Sequence, residues 1–397
     1  MEKELLTQEV QDELVNNILP FWMHRMTDEI NGGFYGRITG ENRLVPEADK
    51  GAVLNARILW TFSSAYRLLH DEAYLVTATR AKRFIIDSFY DHEQGGVYWA
   101  LDYKGNPVDT KKQIYAQAFA IYGLSEYHRA TGDDEALHYA QLLFESIETH
   151  AFDPVYDGYF EAFTRDWQPL ADMRLSDKDK NACKTMNTHI HIFEAYANLF
   201  RVWKEPRLEQ QLRHLVDILC NHIYDEETYQ LMPFFDKQWN KLSGVISPGH
   251  NIEASWLIYE TRSMFVKDAL LAERMERLSM TLYLLALSTF DFATYSMPYE
   301  VDSDDHLIDA ERHWWVQAEL VTGIVSYSFM DKQPGFIKMA YLCWGFIKKH
   351  LIDHVHGEWH WSVSPDGTIN TVDDKAGFWK CPYHNGRMCM KVMEWLK

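Results

Sequence analysis

Cysteine is scarce in this 397-residue chain. The five that occur, Cys183, Cys220, Cys343, Cys381 and Cys389, are odd in number and scattered. They make neither a disulfide framework nor a CxxC metal or redox pair. Long hydrophobic runs are missing too, because charged residues interrupt every apolar stretch well before the ~18–20 residues a membrane span needs. The opening MEKELLTQEVQDEL is acidic and amphipathic, without the basic start and apolar core of a secretory signal. These absences imply a reducing, cytoplasmic setting. Positive charge is also in deficit: 39 Lys and Arg stand against 58 Asp and Glu, a net charge of −19. That field repels nucleic acid and anionic lipid, so neither a nucleic-acid nor a membrane partner is expected. It also argues against phosphorylated substrates unless a local basic pocket overrides it. No low-complexity linker divides the chain.

Aromatic residues, by contrast, are abundant, with 14 Trp, 22 Tyr and 21 Phe. Most must fill a core. A minority at a cleft would suit a sugar, whose C–H faces stack on rings while its hydroxyls meet polar groups.

Six stretches resemble one another. Asp28 opens DEINGGFYGRI, Asp91 opens DHEQGGVYWAL, and Asp153 opens DPVYDGYFEAF. Asp225 opens DEETYQLMPFF, Asp291 opens the degenerate DFATYSMPYEV, and Asp353 opens DHVHGEWHWSV. The steps between these aspartates are 63, 62, 72, 66 and 62 residues. Each stretch reads as a turn followed by a short strand of alternating large residues. Helical periodicity fills the rest. Amphipathic runs precede the aspartates at roughly 7–27, 72–90, 133–150, 206–223, 270–290 and 333–351. Others follow at roughly 51–70, 112–131, 187–203, 250–266, 311–329 and 384–396. Twelve helices in six pairs cannot bury their apolar faces singly, so they must stack, and six pairs can close a ring. The expected fold is all-α, an (α/α)6 barrel with short β-hairpin segments in its loops. The second helix of each pair lies inside, and residues 1–397 form one catalytic domain.

In such a ring the starts of the inner helices converge at one mouth, and unusual residues collect there. The first carries Arg57 with Trp60 one turn on. The second begins near Tyr115. In the third, Asn187, His191 and Glu194 share a face; in the fourth, His250 and Glu253 are one turn apart, with Trp256 beyond. The fifth places Trp315 over Glu319, and the sixth supplies Trp379 and His384. Each has an ordinary structural explanation when taken singly. An inward arginine is usually half of an ion pair, and His189, two residues from His191, points away from it. The shared phase across five of six repeats is what argues for a common site.

The motifs DKGAVLNARILW, KTMNTHIHIFEAY, PGHNIEASW, WWVQAE and KAGFWKCPYHNGR resemble those of the N-acylglucosamine 2-epimerase superfamily, within it the cellobiose 2-epimerase branch. The likeness spans nearly the whole chain, in the right order. It implies an (α/α)6 barrel that epimerises C2 of the reducing-end glucose or mannose of a disaccharide, without metal or nucleotide cofactor. The expected partner is a small sugar, a reducing disaccharide or monosaccharide, and the expected assembly a monomer or weak homodimer. Carried over by position, the acid/base histidines fall on His250 and His384, and the enediolate-binding pair on Arg57 and His191. The supporting polar residues fall on Asn187, Glu253 and Glu319, and the sugar-stacking rings on Trp315 and Trp379. Tyr115 and Trp256 carry over as further substrate contacts, Trp256 from the wall of the site.

Inverting C2 of an aldose requires the ring to open, because only a free carbonyl acidifies the neighbouring C–H. A base then takes the proton while charge grows on the C1 oxygen. Histidine suits this task near neutral pH. Two histidines on opposite faces could take and return the proton, or one could shuttle it while the intermediate turns about C2–C3. Arg57 supplies permanent positive charge for the enediolate, and Glu253 is expected to orient His250. Rival readings are a metal shell from His191, His250, His384 and Glu253, a glycoside hydrolase using Glu253 and Glu319, and a sugar-binding protein. Nearest is a mannose 2-epimerase or an aldose–ketose isomerase (mannose/fructose type) using the same intermediate. The polar segment 164–184 is expected to cover the site as a flap.

Overall fold

The computed structural model describes residues 1–176, 179–302, 306–331 and 335–397. Six inner helices run Ala52–Leu69, Ile114–Thr131, Met186–Val202, Pro248–Arg262, Trp314–Met330 and Tyr383–Leu396. They are called inner helices 1 to 6 below. Nearly every residue in them is buried, as expected for elements covered on all sides. Outside them lie Glu72–Phe84, Asp134–His150, Pro206–Ile218, Ala269–Ser288 and Gly335–His350. The N-terminal segment completes this layer as Glu2–Glu13, Leu14–Ile18 and Leu19–Arg25 in unbroken succession. The outer helices bury one stripe and leave the rest to solvent. Inner helix 1 packs on 2, 2 on 3, 3 on 4, 4 on 5, 5 on 6, and 6 on 1, so the ring closes. This is the (α/α)6 barrel expected from the repeat.

Two devices in the loops repeat around the ring. In the first, each opening aspartate accepts backbone N–H groups of its own turn, as Asp91 does from Glu93 and Gln94. It also meets a cation, which stands two residues before an inner helix in four repeats and seven or eight residues before it in the other two. Lys50 reaches Asp28 at 2.8 Å, Lys112 reaches Asp91 at 3.0 Å, and Lys184 reaches Asp153 at 2.9 Å. Lys241–Asp225, Arg312–Asp291 and Lys375–Asp353 are the other three. Breaking a buried pair of this kind typically costs about 3–5 kcal/mol, since it strands the remaining charge. In the second, the chain entering each inner helix pairs with the strand of the next repeat. Lys50–Gly51 pairs antiparallel with Ala100–Leu101, Lys112–Gln113 with Ala162–Phe163, and Lys184–Thr185 with Phe234–Phe235. Ile246 bridges Val301, Arg312–His313 pairs with Ser362–Val363, and Ala376 bridges Ile38 to close the circle.

The helix limits match the periodicity closely, with two departures. The N-terminal helix starts at Glu2 rather than near residue 7, because Leu6 and Val10 extend its buried stripe a turn earlier. Three outer helices contain a π-turn, at Leu14–Ile18, Ile85–Phe89 and Leu219–Ile223. An extra residue in one turn leaves no mark in a 3.6-residue period. All five cysteines are free. Among the described residues no helix is long and apolar enough to cross a membrane.

Candidate active site

The first turn of four inner helices is phased by one hydrogen bond from the preceding loop. Gln117 accepts from Val97 N, His189 Nε2 from Tyr159 N, Asn251 from Leu231 N, and Gln317 from Met297 N. His189 is therefore the repeat-equivalent of two glutamines and an asparagine, turned away from the lumen and buried in a structural role. Counting two residues on from this position gives Arg57, Phe119, His191, Glu253, Glu319 and Arg387. One residue back lie His250 and His384, equivalent positions in helices 4 and 6. The charged side chains are thus one layer of the barrel.

Arg57 is 3% exposed, yet among the described residues it meets no carboxylate. Its Nη2 donates to Tyr115 Oη at 2.6 Å and its Nη1 to the Trp379 carbonyl at 3.3 Å. The guanidinium lies over the rings of Phe119 and Tyr383, at 4.2 and 4.7 Å. The ion-pair explanation for this arginine therefore fails: it is a buried cation without a counter-ion, which is costly unless an anion visits. His191 stands beside it through shared neighbours, 5.1 Å from the Tyr115 ring and 4.7 Å from Phe119.

Three histidines are each tethered through Nδ1, and among the described residues none has a hydrogen bond at Nε2. His191 Nδ1 is hydrogen-bonded to Glu194 Oε2 at 2.9 Å, and His384 Nδ1 to Glu319 Oε1 at 2.7 Å. His250 Nδ1 meets Ser247 Oγ at 2.8 Å. Trp315 gathers two of them, its ring 4.7 Å from His250 and 5.5 Å from His384. Gly249 permits this approach, since a Cβ there would fall 2.7 Å from the indole. Burial lowers His250 to about 4; Glu253 opposes the shift, and His191 and Arg57 add to it. Burial also carries His384 well below its ordinary value, offset in part by Glu253. Both imidazoles are thereby neutral near pH 7 and able to accept a proton.

Beneath the histidines, Arg387 ties Glu194, Glu253 and Glu319 together. Burial alone would raise Glu194, but Arg387 and then His191 pull it down to about 2. Glu319 also accepts Trp256 Nε1 at 2.8 Å, which makes Trp256 a wall residue. Burial lifts Glu319 above the usual carboxylate value against the pull of Arg387. Glu253 does not orient His250 as expected. The i, i+3 spacing puts them on one face, but Arg387 captures the carboxylate, and Ser247 at the helix N-cap is the nearer partner for the imidazole. Glu253, Glu319 and His384 bring ligand atoms within 4.8 Å of one another. The cation already seated on both carboxylates is the Arg387 guanidinium. His191 and His250 stand outside that group, so the four-residue metal shell does not assemble.

Above the site a cleft is lined by Asn187, Ser247, His250 and Tyr299 on one side. Met173, Arg174, Leu175 and Asp179 of the segment 164–184 line the other. Among the described residues, the half-buried Asn187 has no partner for its Oδ1. The segment is fastened by Gln113 Nε2 donating to the Arg174 carbonyl at 2.9 Å and by Trp167 stacked on His150 at 4.4 Å. Residues 177 and 178 of the expected flap lie outside the described residues. Trp379, half-buried, stands 6.0 Å from Tyr115 and 5.7 Å from Trp99. The residues singled out from sequence thus share one lumen. Arg387, Tyr383 and Ser247 were not among them. Arg387 could have been found by phasing the helices on Gln117, His189, Asn251 and Gln317.

The profile of the N-acylglucosamine 2-epimerase family matches residues 33–386. The chain belongs to this family. It is 55% identical over 392 residues to a cellobiose 2-epimerase of Bacteroides fragilis, covering 98% of this chain and 99% of that one. A D-mannose isomerase of Marinomonas mediterranea is 21% identical over 380 residues, 92% of each chain. Among solved structures, the cellobiose 2-epimerase of Bacillus thermoamylovorans matches with a TM-score of 0.92 at 37% identity, covering 98% of this chain and 99% of its own. A D-mannose isomerase structure matches at 0.85 with 18% identity, which speaks for the fold alone. Together these make the family member an isomerase, a carbohydrate epimerase.

Proposed function

We propose that residues 1–397 act as one catalytic domain that reversibly epimerises C2 of the reducing-end glucose or mannose of a β-1,4-linked disaccharide, cellobiose to glucosyl-mannose. The chemistry rests above all on Arg57, a buried guanidinium with no carboxylate partner among the described residues, linked through Tyr383 and Trp315 to the neutral His384 and His250. A site that keeps a fixed cation and two proton acceptors fits a reaction that passes through an oxyanion. The choice of disaccharide rests on the 55% identical relative and its name.

In this reading the sugar binds open-chain against Trp315, with Trp379 and Asn187 as further contacts. His384, its Nδ1–H held by Glu319, presents the Nε2 lone pair to the C2 proton, and His250 stands across the same indole. As the proton leaves, charge on the C1 oxygen is met by Arg57 and His191. Return of a proton from the other face inverts C2. Ser247 suits His250 to this exchange, because a hydroxyl both donates and accepts and so tolerates either imidazole tautomer.

The test is incubation of the purified protein with cellobiose, mannobiose, mannose and N-acetylmannosamine, with products identified by NMR. The expected product is the glucosyl-mannose epimer of cellobiose; released monosaccharide would turn the reading toward hydrolysis. A second reading, mannose–fructose isomerisation, is favoured by the D-mannose isomerase relative. It needs only that the enediolate be reprotonated at C1, and formation of a ketose would establish it.

A further inference from the structure

Arg387 lies on inner helix 6 one turn beyond His384, with no exposed surface. Its Nη1 donates to Glu194 Oε1 and Tyr383 Oη, and its Nη2 donates to Glu253 Oε1 and, at 2.7 Å, to Glu319 Oε1. Three carboxylates from three different inner helices converge on this one guanidinium. Two of them end on histidines, Glu194 on His191 and Glu319 on His384. The rings of Tyr383 and Trp256, 4.1 and 4.6 Å from the guanidinium carbon, hold its plane in place.

An ionised carboxylate can only accept, so it fixes the proton of its histidine on Nδ1 and leaves a lone pair on Nε2. A protonated carboxyl would instead donate to Nδ1. The imidazole would then carry its proton on Nε2, facing the sugar, and would be useless as a base. Burial already favours the protonated acid at Glu319, and what opposes it is the guanidinium. We propose that Arg387 is a positioning residue that keeps Glu194 and Glu319 ionised and so holds His191 and His384 in the tautomer that presents Nε2 to the substrate. The consequence for turnover rests on the reading of His384 as a base; the tautomer itself does not.

The test uses full-length protein labelled with ¹⁵N at histidine and read by NMR without substrate. His384→Asn serves to assign the His384 signals. Wild type should show His384 protonated at Nδ1. In Arg387→Met it should be protonated at Nε2, with kcat on cellobiose lower by ~10²–10⁴, the range seen when a catalytic histidine takes the wrong tautomer. Binding of a non-reacting sugar alcohol should stay within about threefold, because Arg387 touches no substrate-facing group. Arg387→Lys keeps a charge, and should keep the Nδ1 tautomer and recover about tenfold or more of the lost kcat. A folded Arg387→Met that retains the Nδ1 tautomer, or wild-type kcat, overturns the proposal. If Arg387→Met fails to fold, Arg387→Lys decides alone, and an Nε2-protonated His384 there overturns it equally. Should cellobiose prove not to be the substrate, the tautomer readings stand unaffected.

Discussion

Replacing Arg57 by methionine separates function from stability sharply. The side chain is buried and, among the described residues, donates to no carboxylate, so the native state carries a charge without a counter-ion that the unfolded chain can hydrate. Two terms oppose each other when the charge is removed. Relief of desolvation is worth about 1–3 kcal/mol for a poorly satisfied buried polar group, and more for a charge. Loss of the guanidinium over Phe119 and Tyr383 costs about 0.5–2 kcal/mol, part of which a thioether against the same rings restores. Tyr115 Oη also loses its donor, at roughly 1 kcal/mol. The sum lies near zero, and in a chain of this size about 1 kcal/mol moves Tm by only ~1–3 °C. Turnover should behave quite differently. Removing one preorganised donor to an oxyanion costs ~10²–10³ in kcat, roughly 3–4 kcal/mol, and Arg57 contributes a full charge as well. Calorimetry and steady-state epimerisation of cellobiose, on the same preparation, measure both. A variant within tenfold of wild-type kcat/KM, or one whose Tm falls by ~10 °C, would refute the argument that Arg57 is reserved for the reaction.

His384→Asn should abolish turnover to below ~10⁻³ of wild type, with secondary structure by circular dichroism unchanged. Prolonged chelation with EDTA should leave the rate as it was, because Arg387 already serves the Glu253 and Glu319 carboxylates; restoration by an added divalent ion would contradict this. Acid should destabilise the fold in two windows. His189 and His250 titrate at about 4 when folded against an ordinary 6.5, so their contribution is complete above ~6.5 and is lost as pH falls toward 4. Glu194, held at about 2, adds a loss between ~4.5 and 2. His189→Gln, matching Gln117 and Gln317, should flatten the first window by up to about 3 kcal/mol in chemical denaturation at pH 4 relative to pH 7, without touching activity.

The barrel was legible because its repeat is written in residues that cannot easily be substituted. Each turn-opening aspartate has to accept backbone N–H groups, and each inner helix has to be apolar all round. Helix limits followed from periodicity to within a residue or two at most ends, the wider misses being the N-terminus, the end of inner helix 4 at Arg262 and the start of inner helix 5 at Trp314. The lumen residues were legible for a related reason: Arg57, His191, His250 and His384 are polar groups at the phase where the ring demands apolar ones. What escaped were partnerships. Spacing on one helix suggested Glu253 for His250, but a buried carboxylate goes to the strongest cation within reach, and that cation sits on another helix, 134 residues away. Arg387 escaped although it ends the motif that drew attention to His384, because its three carboxylate partners lie on other helices, 68 to 193 residues away. The lysines answering the six aspartates escaped because their separation is not constant, running from 16 residues for Asp225–Lys241 to 31 for Asp153–Lys184.

The measurement closest to the centre of this account is the fate of the C2 hydrogen. Cellobiose turned over in deuterated water should give glucosyl-mannose carrying deuterium at C2, seen by NMR as loss of that proton's signal with C1 unlabelled. Epimer that keeps every C2 hydrogen it started with, or a product labelled at C1 instead, would contradict proton transfer by His250 and His384 at C2.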